Sequence, residues 1–192
     1  MQLKKILIIK TILVSLLLLS SFTPNTIGSS HDESDLTLQI NQISQSTINL
    51  TATIPSFHFS TQSLNGKDFA LPYLDDVGYH NIVGEAKIPM IRKMVEIPKS
   101  TSPNIKVNTA HWEYTTLDAL DLPDRIIPIQ PPQEKNNFLQ NTYEIDEKYY
   151  RSQSFLPEKI ASIREIHEIR GRRFALIEIA PLLYNPSNGN LK

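Results

Sequence analysis

The residue pair that most resembles a metal-binding or catalytic motif in this chain is His167-Glu168, within the segment HEIRG. A histidine followed by a glutamate begins the HExxH zinc motif, in which a second histidine completes the metal site. Gly171 stands at that position, so the motif is incomplete. The pair is therefore interpreted as part of a strand that faces solvent. The other histidines have no partner at ligand spacing: His31, His58, His80 and His111.

Nucleophilic chemistry is restricted by composition, because the 192 residues include no cysteine. That count excludes cysteine nucleophiles, thiolate metal sites and disulfides. The sequence also lacks the GxSxG elbow, the Walker loop and the glycine pattern of dinucleotide-binding folds. We therefore expect a domain that is not an enzyme on its own and that uses no cofactor and no metal.

Aromatic side chains leave a second function open. Trp112, Tyr114 and Tyr149 could line a sugar site if they cluster on one face of a sheet, although packing is the more usual fate of such residues. The corresponding hypothesis is a stand-alone exported module that binds carbohydrate or adheres to a surface.

Residues 1–28 have the composition of a secretory signal peptide. Two lysines at positions 4 and 5 precede an apolar run over residues 6–19, and small and polar residues follow. The run is shorter than the roughly 20 residues that span a bilayer, which favours cleavage over an uncleaved anchor. Thr26-Ile27-Gly28 places small residues before a cut after Gly28, and Ser21 and Ser29 are alternative sites. We expect a signal-peptide helix, a mature domain over residues 29–192, a secreted location and no stable membrane span after cleavage.

Cleavage of that leader also changes the charge. It lowers the number of basic residues from 19 to 16 against 20 acidic ones, which gives a mature net charge of −4. Because nucleic-acid binding requires a basic face, nucleic acid is not an expected partner.

The elements that position these residues are predicted to be strands. Apolar residues alternate with polar ones over residues 35–43 and 47–54, and Pro55 closes the second run. Asn65-Gly66 predicts a hairpin turn. Further extended segments are expected at residues 57–59, 67–71, 95–98, 105–108 and 126–129. This pattern predicts an antiparallel all-β domain.

Residues 156–170 allow two interpretations. Isoleucine recurs at every third position from 160 to 169, a period that favours a helix. The four β-branched side chains and the β-rich surroundings favour a strand. We expect a short turn over residues 158–161 and a strand over residues 162–170.

The C-terminal stretch is expected to form a buried strand and a turn. Residues 172–180 are rich in Phe, Leu and Ile, as in a strand that is buried on most of its surface. Pro186 ends the extended chain, and Asn188-Gly189 favours a tight hairpin turn. The return arm, Leu191-Lys192, is expected to be too short to pair, which predicts that the sequence is cut short in its last hairpin.

An ordered series of short motifs resembles the propeptide of gingipain-type cysteine peptidases. The series begins at Phe69-Ala70-Leu71-Pro72 and continues through Gly84, Ile88-Pro89, residues 95–98, Pro128-Ile129-Gln130-Pro131, Tyr149-Tyr150 and Phe155-Leu156-Pro157. It ends with Arg170, Gly171, Pro181, Tyr184, Asn185 and Pro186. The resemblance spans residues 35–192.

The resemblance implies a jelly-roll-like sandwich of two antiparallel sheets and a role as a prodomain. Such propeptides precede a catalytic domain, assist its folding and keep it latent until they are cleaved. The implied partner is the catalytic domain of a cognate cysteine peptidase, in cis. Any cysteine endopeptidase activity would belong to that downstream domain.

The resemblance also implies how latency is achieved. Gingipain-like peptidases prefer a basic residue, and a propeptide blocks their pocket by inserting a lysine or arginine from a loop. The matching position in this chain is Lys135, within residues 131–137, with Arg125 and Arg151 as fallback candidates. A rigid sandwich loses little entropy when it presents such a loop.

Overall fold

The computed structural model of the protein describes residues 4–17, 36–44, 47–132 and 143–192. Its strands are β1 (Lys4–Leu17), β2 (Thr37–Ser44), β3 (Thr47–Leu64), β4 (Lys67–Tyr73), β5 (Ile91–Ile97), β6 (Asn104–Ala110), β7 (Thr115–Thr116), β8 (Ala161–Ile169), β9 (Arg172–Ile179), β10 (Tyr184–Asn185) and β11 (Asn190–Leu191). A 3₁₀ turn at Asp118–Leu120 and a four-residue helix, α1, at Glu147–Tyr150 complete the regular elements of these residues.

The strands form antiparallel sheets that pack on a shared core. β2, β3, β1 and β6 lie side by side in that order, and β4 pairs with β3 to give a five-stranded sheet. β5, β9 and β8 form a three-stranded sheet, and β10, β11 and β7 form a smaller one. One hydrophobic cluster contains buried residues of both main sheets: Leu50, Ala52, Ile54, Phe57, Val95, Ala175, Ile177 and Ile179. The prediction of an all-β antiparallel sandwich is confirmed.

One long strand, β3, replaces two predicted ones. Pro55 lacks a backbone donor and is expected to end a strand, but β3 continues through it to Leu64. On one edge of β3, the pairing with β2 reaches Thr53, and the pairing with β4 begins only at His58 of β3. On the other edge, the pairing with β1 shifts register between Ile54 and Ser56. The proline therefore lies where no ladder hydrogen bond is required.

The segment predicted as a signal-peptide helix forms strand β1 in this structure. β1 runs antiparallel to β3 on one side and to β6 on the other. Its Ile, Leu and Val residues suit a pleated strand as well as an apolar helix, and the edges of β3 and β6 satisfy its backbone groups. No helix among the described residues is long and apolar enough to cross a membrane. A leader at residues 1–28 and a mature domain at residues 29–192 remain predictions.

Two hairpins turn at residue pairs with positive φ angles. Asn65 and Gly66 have φ angles of 50° and 73° between β3 and β4, as predicted from the Asn-Gly pair. Arg170 and Gly171 have φ angles of 51° and 75° between β8 and β9, and this turn was not predicted. Arginine is uncommon in the left-handed region, so its side chain gives no signal for a turn there. The pairing of β8 with β9 confirms the strand interpretation of residues 162–170.

The last hairpin closes, so the prediction that its return arm is too short to pair was wrong. Tyr184 pairs with Leu191, and Asn185 pairs with Asn190. β11 pairs on its other edge with β7, and Leu191 is buried. A two-residue arm is stable here because a third strand and the core hold it, and neither was visible in the local sequence.

Candidate functional site

Residues 133–142, which include Lys135, lie outside the described part of the chain. The two described segments that flank them, residues 125–132 and 143–151, are called the stalk below. The stalk contains the described residues that are nearest to Lys135 in the sequence and both fallback residues, Arg125 and Arg151, so it is the candidate site.

The outgoing segment of the stalk is extended, and one of its edges pairs with backbone. The Ala70 N–H donates to the Arg125 carbonyl at 2.8 Å, and the Ile127 N–H donates to the Ala70 carbonyl at 2.9 Å. Further along the same edge, the Ile127 carbonyl accepts from the Lys87 N–H at 2.8 Å. The Ile129 N–H donates to the Glu85 carbonyl, also at 2.8 Å. The backbone groups on this edge are therefore paired as in a β-ladder, although the segment is too irregular to form a regular strand.

The opposite edge of the same segment is satisfied by side chains. The Tyr150 hydroxyl donates to the Ile126 carbonyl at 2.6 Å, and the Ile126 N–H donates to the Tyr184 hydroxyl at 3.4 Å. Pro128, the next residue on this edge, has no N–H to satisfy, and its carbonyl accepts from Gln130 Nε2 at 3.3 Å. Buried backbone groups need partners, so these side chains allow the segment to leave the core without a neighbouring strand.

Burial of the two tyrosines has an electrostatic consequence. Removal of the phenol from water disfavours its anion and raises the pKa of Tyr184 to about 12, while the nearby Arg125 partly opposes the rise. Burial raises the pKa of Tyr150 further, with Tyr184 adding to the effect. Both hydroxyls are therefore protonated at neutral pH, and Tyr150 can donate its proton to the Ile126 carbonyl there.

We predict that Tyr150→Phe destabilises the domain by about 2 kcal/mol, because the Ile126 carbonyl then loses its buried donor. Tyr184→Phe is expected to cost less, about 1 kcal/mol, because its bond to Ile126 is the longer one. Tyr143→Phe is the control, since the Tyr143 hydroxyl makes no hydrogen bond to any of the described residues. Urea unfolding measures the three free energies, and equal losses for Tyr150 and Tyr143 would contradict the assignment.

The return segment of the stalk is fixed by helix α1 and by Gly84. Asp146 caps α1, with Oδ1 accepting from the N–H groups of Lys148 and Tyr149 at 2.9 and 3.0 Å. The Asp146 N–H donates to the Gly84 carbonyl at 2.9 Å, and the Gly84 N–H donates to the Ile129 carbonyl at 2.8 Å. Gly84 therefore contacts both segments of the stalk. Its φ of 85°, and the 2.8 Å that would separate an added Cβ from Asp146 N, explain why glycine is required.

Gly84 lies at the tip of an irregular hairpin over residues 78–90. Met90 and His80 donate their N–H groups to the carbonyls of Gly78 and Ile88 at 2.8 Å. Near the tip, the imidazole of His80 lies 2.7 Å from a carboxylate oxygen of Glu85. This hairpin connects the stalk to the body of the sandwich.

A carboxylate on β9 ties the three-stranded sheet to that hairpin. Glu178 Oε1 accepts from Arg92 Nε and from an Arg164 guanidinium nitrogen, both at 2.8 Å. Arg92 also donates to the Tyr79 carbonyl at 2.9 Å, and Arg164 donates to Asn81 Oδ1 at 3.1 Å. The side chain of Glu178 is only 10 % exposed, and the network joins β9 to the hairpin over residues 78–90.

The two fallback residues differ in their surroundings. The Arg125 guanidinium lies 5.6 Å from the centre of the Tyr150 ring and is half-buried. The side chain of Arg151, directly after α1, is 80 % exposed, and its nearest assigned partner is a Glu147 oxygen at 3.9 Å. Arg151 is therefore available to a partner, whereas Arg125 is engaged in packing.

The motif residues that ended the predicted series lie in the β8–β9 turn and around the C-terminal hairpin. Arg170 and Gly171 form the β8–β9 turn, Pro181 and Pro186 are buried, and Tyr184 holds the stalk. Asn185 is 6 % exposed; its Nδ2 donates to the Gln153 carbonyl at 2.8 Å, and its Oδ1 accepts from the Ser187 N–H at 3.1 Å. Tyr184 and Asn185 thus connect the C-terminal hairpin to Ile126 and Gln153.

The aromatic residues considered for a sugar site do not form one flat platform. The Lys192 ammonium lies 5.5 Å from the Trp112 ring centre, 5.4 Å from that of Tyr114 and 6.0 Å from that of Phe155. Tyr149 instead packs edge-on against Tyr150, with ring centres 5.5 Å apart. A lysine of the chain itself thus occupies the position that a stacking ligand would take.

Histidine and carboxylate chemistry remains sparse in the part of the chain that the structure covers. No cluster of three or more metal-ligating side chains occurs among the described residues. His167 lies 3.1 Å from Glu165, two residues earlier on the same strand, and the two side chains are 42 % and 51 % exposed. Glu168, the other member of the predicted pair, is exposed.

Fold and site together define a class of protein: a β-sandwich that presents a firmly held stalk. Within that class, the chain belongs to the C25 propeptide family, whose family model (Propeptide_C25) matches residues 31–192. The resemblance to gingipain-type propeptides is thereby confirmed.

Similar proteins come from Porphyromonas gingivalis. Lys-gingipain HG66 is 22 % identical over 111 residues, which cover 57 % of this chain and 6 % of that protein. The chain thus matches only a small part of this much longer relative. A structure that addresses the zymogenic latency of gingipain K superposes with a TM-score of 0.70 at 16 % identity, over 82 % of this chain and 86 % of the other. The complex of RgpB pro- and mature domains gives a TM-score of 0.67 at 17 % identity, over 80 % and 77 %. At these identities the structures bear out the fold.

Proposed function

We propose that the domain keeps a gingipain-like cysteine endopeptidase latent and assists its folding, as a prodomain in cis. The observation that carries this proposal is membership of the C25 propeptide family over residues 31–192. The fold shared with the gingipain K structure on zymogenic latency and with the RgpB pro- and mature-domain complex supports it. An exported location follows from the leader-like residues 1–28, and fractionation of the producing cell tests it.

We further propose that the inhibitory contact is a basic residue that enters the substrate pocket of the peptidase. Lys135 is the first candidate because its place in the sequence, after Pro128-Ile129-Gln130-Pro131, matches the inhibitory position of gingipain-type propeptides. Arg151 is the described alternative, since its side chain is exposed at the end of a capped helix. A carboxylate at the base of the pocket would supply the complementary charge, and a rigid stalk limits the entropy lost on docking.

The direct test uses the purified chain of residues 1–192, which keeps β1 between β3 and β6, and the mature domains of Lys-gingipain and RgpB as probes. Inhibition that saturates at one domain per peptidase is expected for at least one of them. Papain is the control, because a pocket-directed inhibitor of gingipain-like peptidases leaves an enzyme of another specificity active. Absence of inhibition of both gingipains, with the domain shown to be folded by circular dichroism, would sink the proposal.

The stand-alone binding module remains the alternative function. It predicts retention of the same purified chain on polysaccharide columns and quenching of Trp112 fluorescence by soluble sugars. The proposed prodomain function predicts neither result.

A further inference from the structure

The side chain of Gln130 links the two segments of the stalk. Its Nε2 donates to the Glu144 carbonyl at 2.8 Å, and its Oε1 accepts from the Glu144 N–H at 3.1 Å. One donated and one accepted bond to the same backbone residue is the pattern that a facing residue makes in an antiparallel ladder. The carboxamide thus takes the place of a strand residue between positions that are 14 residues apart.

Gly84 provides a second link one step closer to the core. It joins Ile129 of the outgoing segment to Asp146 of the returning segment through two backbone hydrogen bonds. The links through Gly84 and Gln130 follow one another along the stalk, so its two segments are held together at two points. The Gly84 link is made of backbone, whereas the Gln130 link depends on one side chain.

We propose that Gln130 is a positioning residue for the inhibitory contact: its carboxamide fixes how the two segments of the stalk lie relative to each other, and docking to the peptidase depends on that arrangement. This inference rests on the proposed function and adds a residue to it. Without the link, the two segments separate beyond Gly84, and fewer molecules hold the arrangement that docks. Binding that requires a pre-organised minority state is slowed in proportion to its population.

A purely structural role for Gln130 predicts a different outcome. Gln130 is half-buried and Glu144 is exposed, and neither belongs to the hydrophobic cluster between the sheets. Replacement of Gln130 is therefore expected to lower the melting temperature by at most about 4 °C. A large loss of inhibition cannot then be attributed to unfolding.

The first experiment compares Gln130→Ala and Gln130→Glu with Gln153→Ala, a control in which an exposed glutamine is shortened outside the linkage. Association and dissociation rates are measured with whichever mature gingipain the wild-type domain inhibits. We expect both Gln130 variants to associate about tenfold more slowly, with dissociation changed less than twofold. Gln130→Glu keeps the length of the side chain but cannot donate to the Glu144 carbonyl, so it separates loss of the bond from loss of packing.

The second experiment distinguishes this inference from the proposed function. Hydrogen exchange at the Glu144 N–H is expected to quicken about tenfold in Gln130→Ala, since its acceptor is removed. Unchanged exchange would overturn the inference even if inhibition is intact. A Gln130→Ala effect that persists undiminished in a Lys135→Ala background would show that Gln130 does not act through that residue. If the wild-type domain inhibits neither gingipain, both the proposed function and this inference are overturned.

Discussion

Lys135→Ala is expected to weaken inhibition of the cognate peptidase by about a hundredfold. Removal of one member of a charge pair that docking has desolvated costs about 2–5 kcal/mol, and 1.4 kcal/mol corresponds to a factor of ten. The loss should appear mainly in the dissociation rate, because the ion pair holds the docked state. Inhibition constants and both rate constants, measured with mature gingipain, check this result.

The matched controls are Arg151→Ala and Arg125→Ala. Arg151 is the exposed last residue of the stalk, so its replacement tests whether another positive charge in the stalk suffices. Arg125 lies against Tyr150, so its replacement is expected to affect stability more than inhibition. An unchanged inhibition constant for Lys135→Ala would remove that residue from the mechanism, and a hundredfold loss for Arg151→Ala would transfer the role to the exposed arginine.

The preference of the peptidase pocket for lysine or for arginine can be tested at the same position. Lys135→Arg keeps the charge but replaces a compact ammonium with a planar guanidinium. The variant should inhibit a lysine-specific peptidase less strongly than the wild-type domain does. An arginine-specific peptidase should bind the variant at least as tightly as the wild-type domain. The variant therefore reports the specificity of the partner as well as the role of the position.

The strand content could be predicted because alternation of apolar and polar residues is a local signal. Residues 35–43 and 162–170 were assigned as strands, and β2 and β8 occupy nearly those positions. Prolines mark backbone groups that cannot donate, but whether a donor is needed depends on neighbouring strands. Pro55 was therefore misjudged, since the gap between β2 and β4 is a property of the sheet.

The stalk could be located from the sequence but not explained. Gly84, Gln130 and Tyr150 all fall within the motifs that resemble gingipain propeptides, yet their partners are distant in sequence. Tyr150 bonds a residue 24 positions away, and Gln130 bonds one 14 positions away. No periodicity reports such contacts, because each is a single side chain replacing a missing strand. The short helix α1 was also missed, since four residues carry too little pattern.

The Glu178 network offers a stability test that is independent of any peptidase. Burial alone raises the pKa of Glu178, but hydrogen bonds from Arg164 and Arg92 outweigh it, so the pKa of this carboxyl lies below its usual range. The carboxylate therefore stabilises the fold through two guanidinium groups, whose side chains retain 27 % and 30 % exposure.

Glu178→Ala is expected to lower the free energy of unfolding by about 3 kcal/mol, because two partly buried arginines then lose their common partner. Their partial exposure places the value at the low end of the range for such pairs. Glu165→Ala is the matched control: its side chain is 51 % exposed and also lies near Arg164, at 3.4 Å. The control should cost less than about 1 kcal/mol in the same urea titration.

The pH dependence of the same residue has a definite sign. Because the folded pKa is depressed, the contribution of Glu178 is complete above the unfolded value of about 4.3 and is lost as the pH falls through the folded value. The difference in unfolding free energy between wild type and Glu178→Gln should therefore be constant from neutral pH to about pH 5 and shrink below about pH 4. A difference that stays constant down to pH 2 would show that packing, rather than the carboxylate charge, joins β9 to the hairpin that supports the stalk.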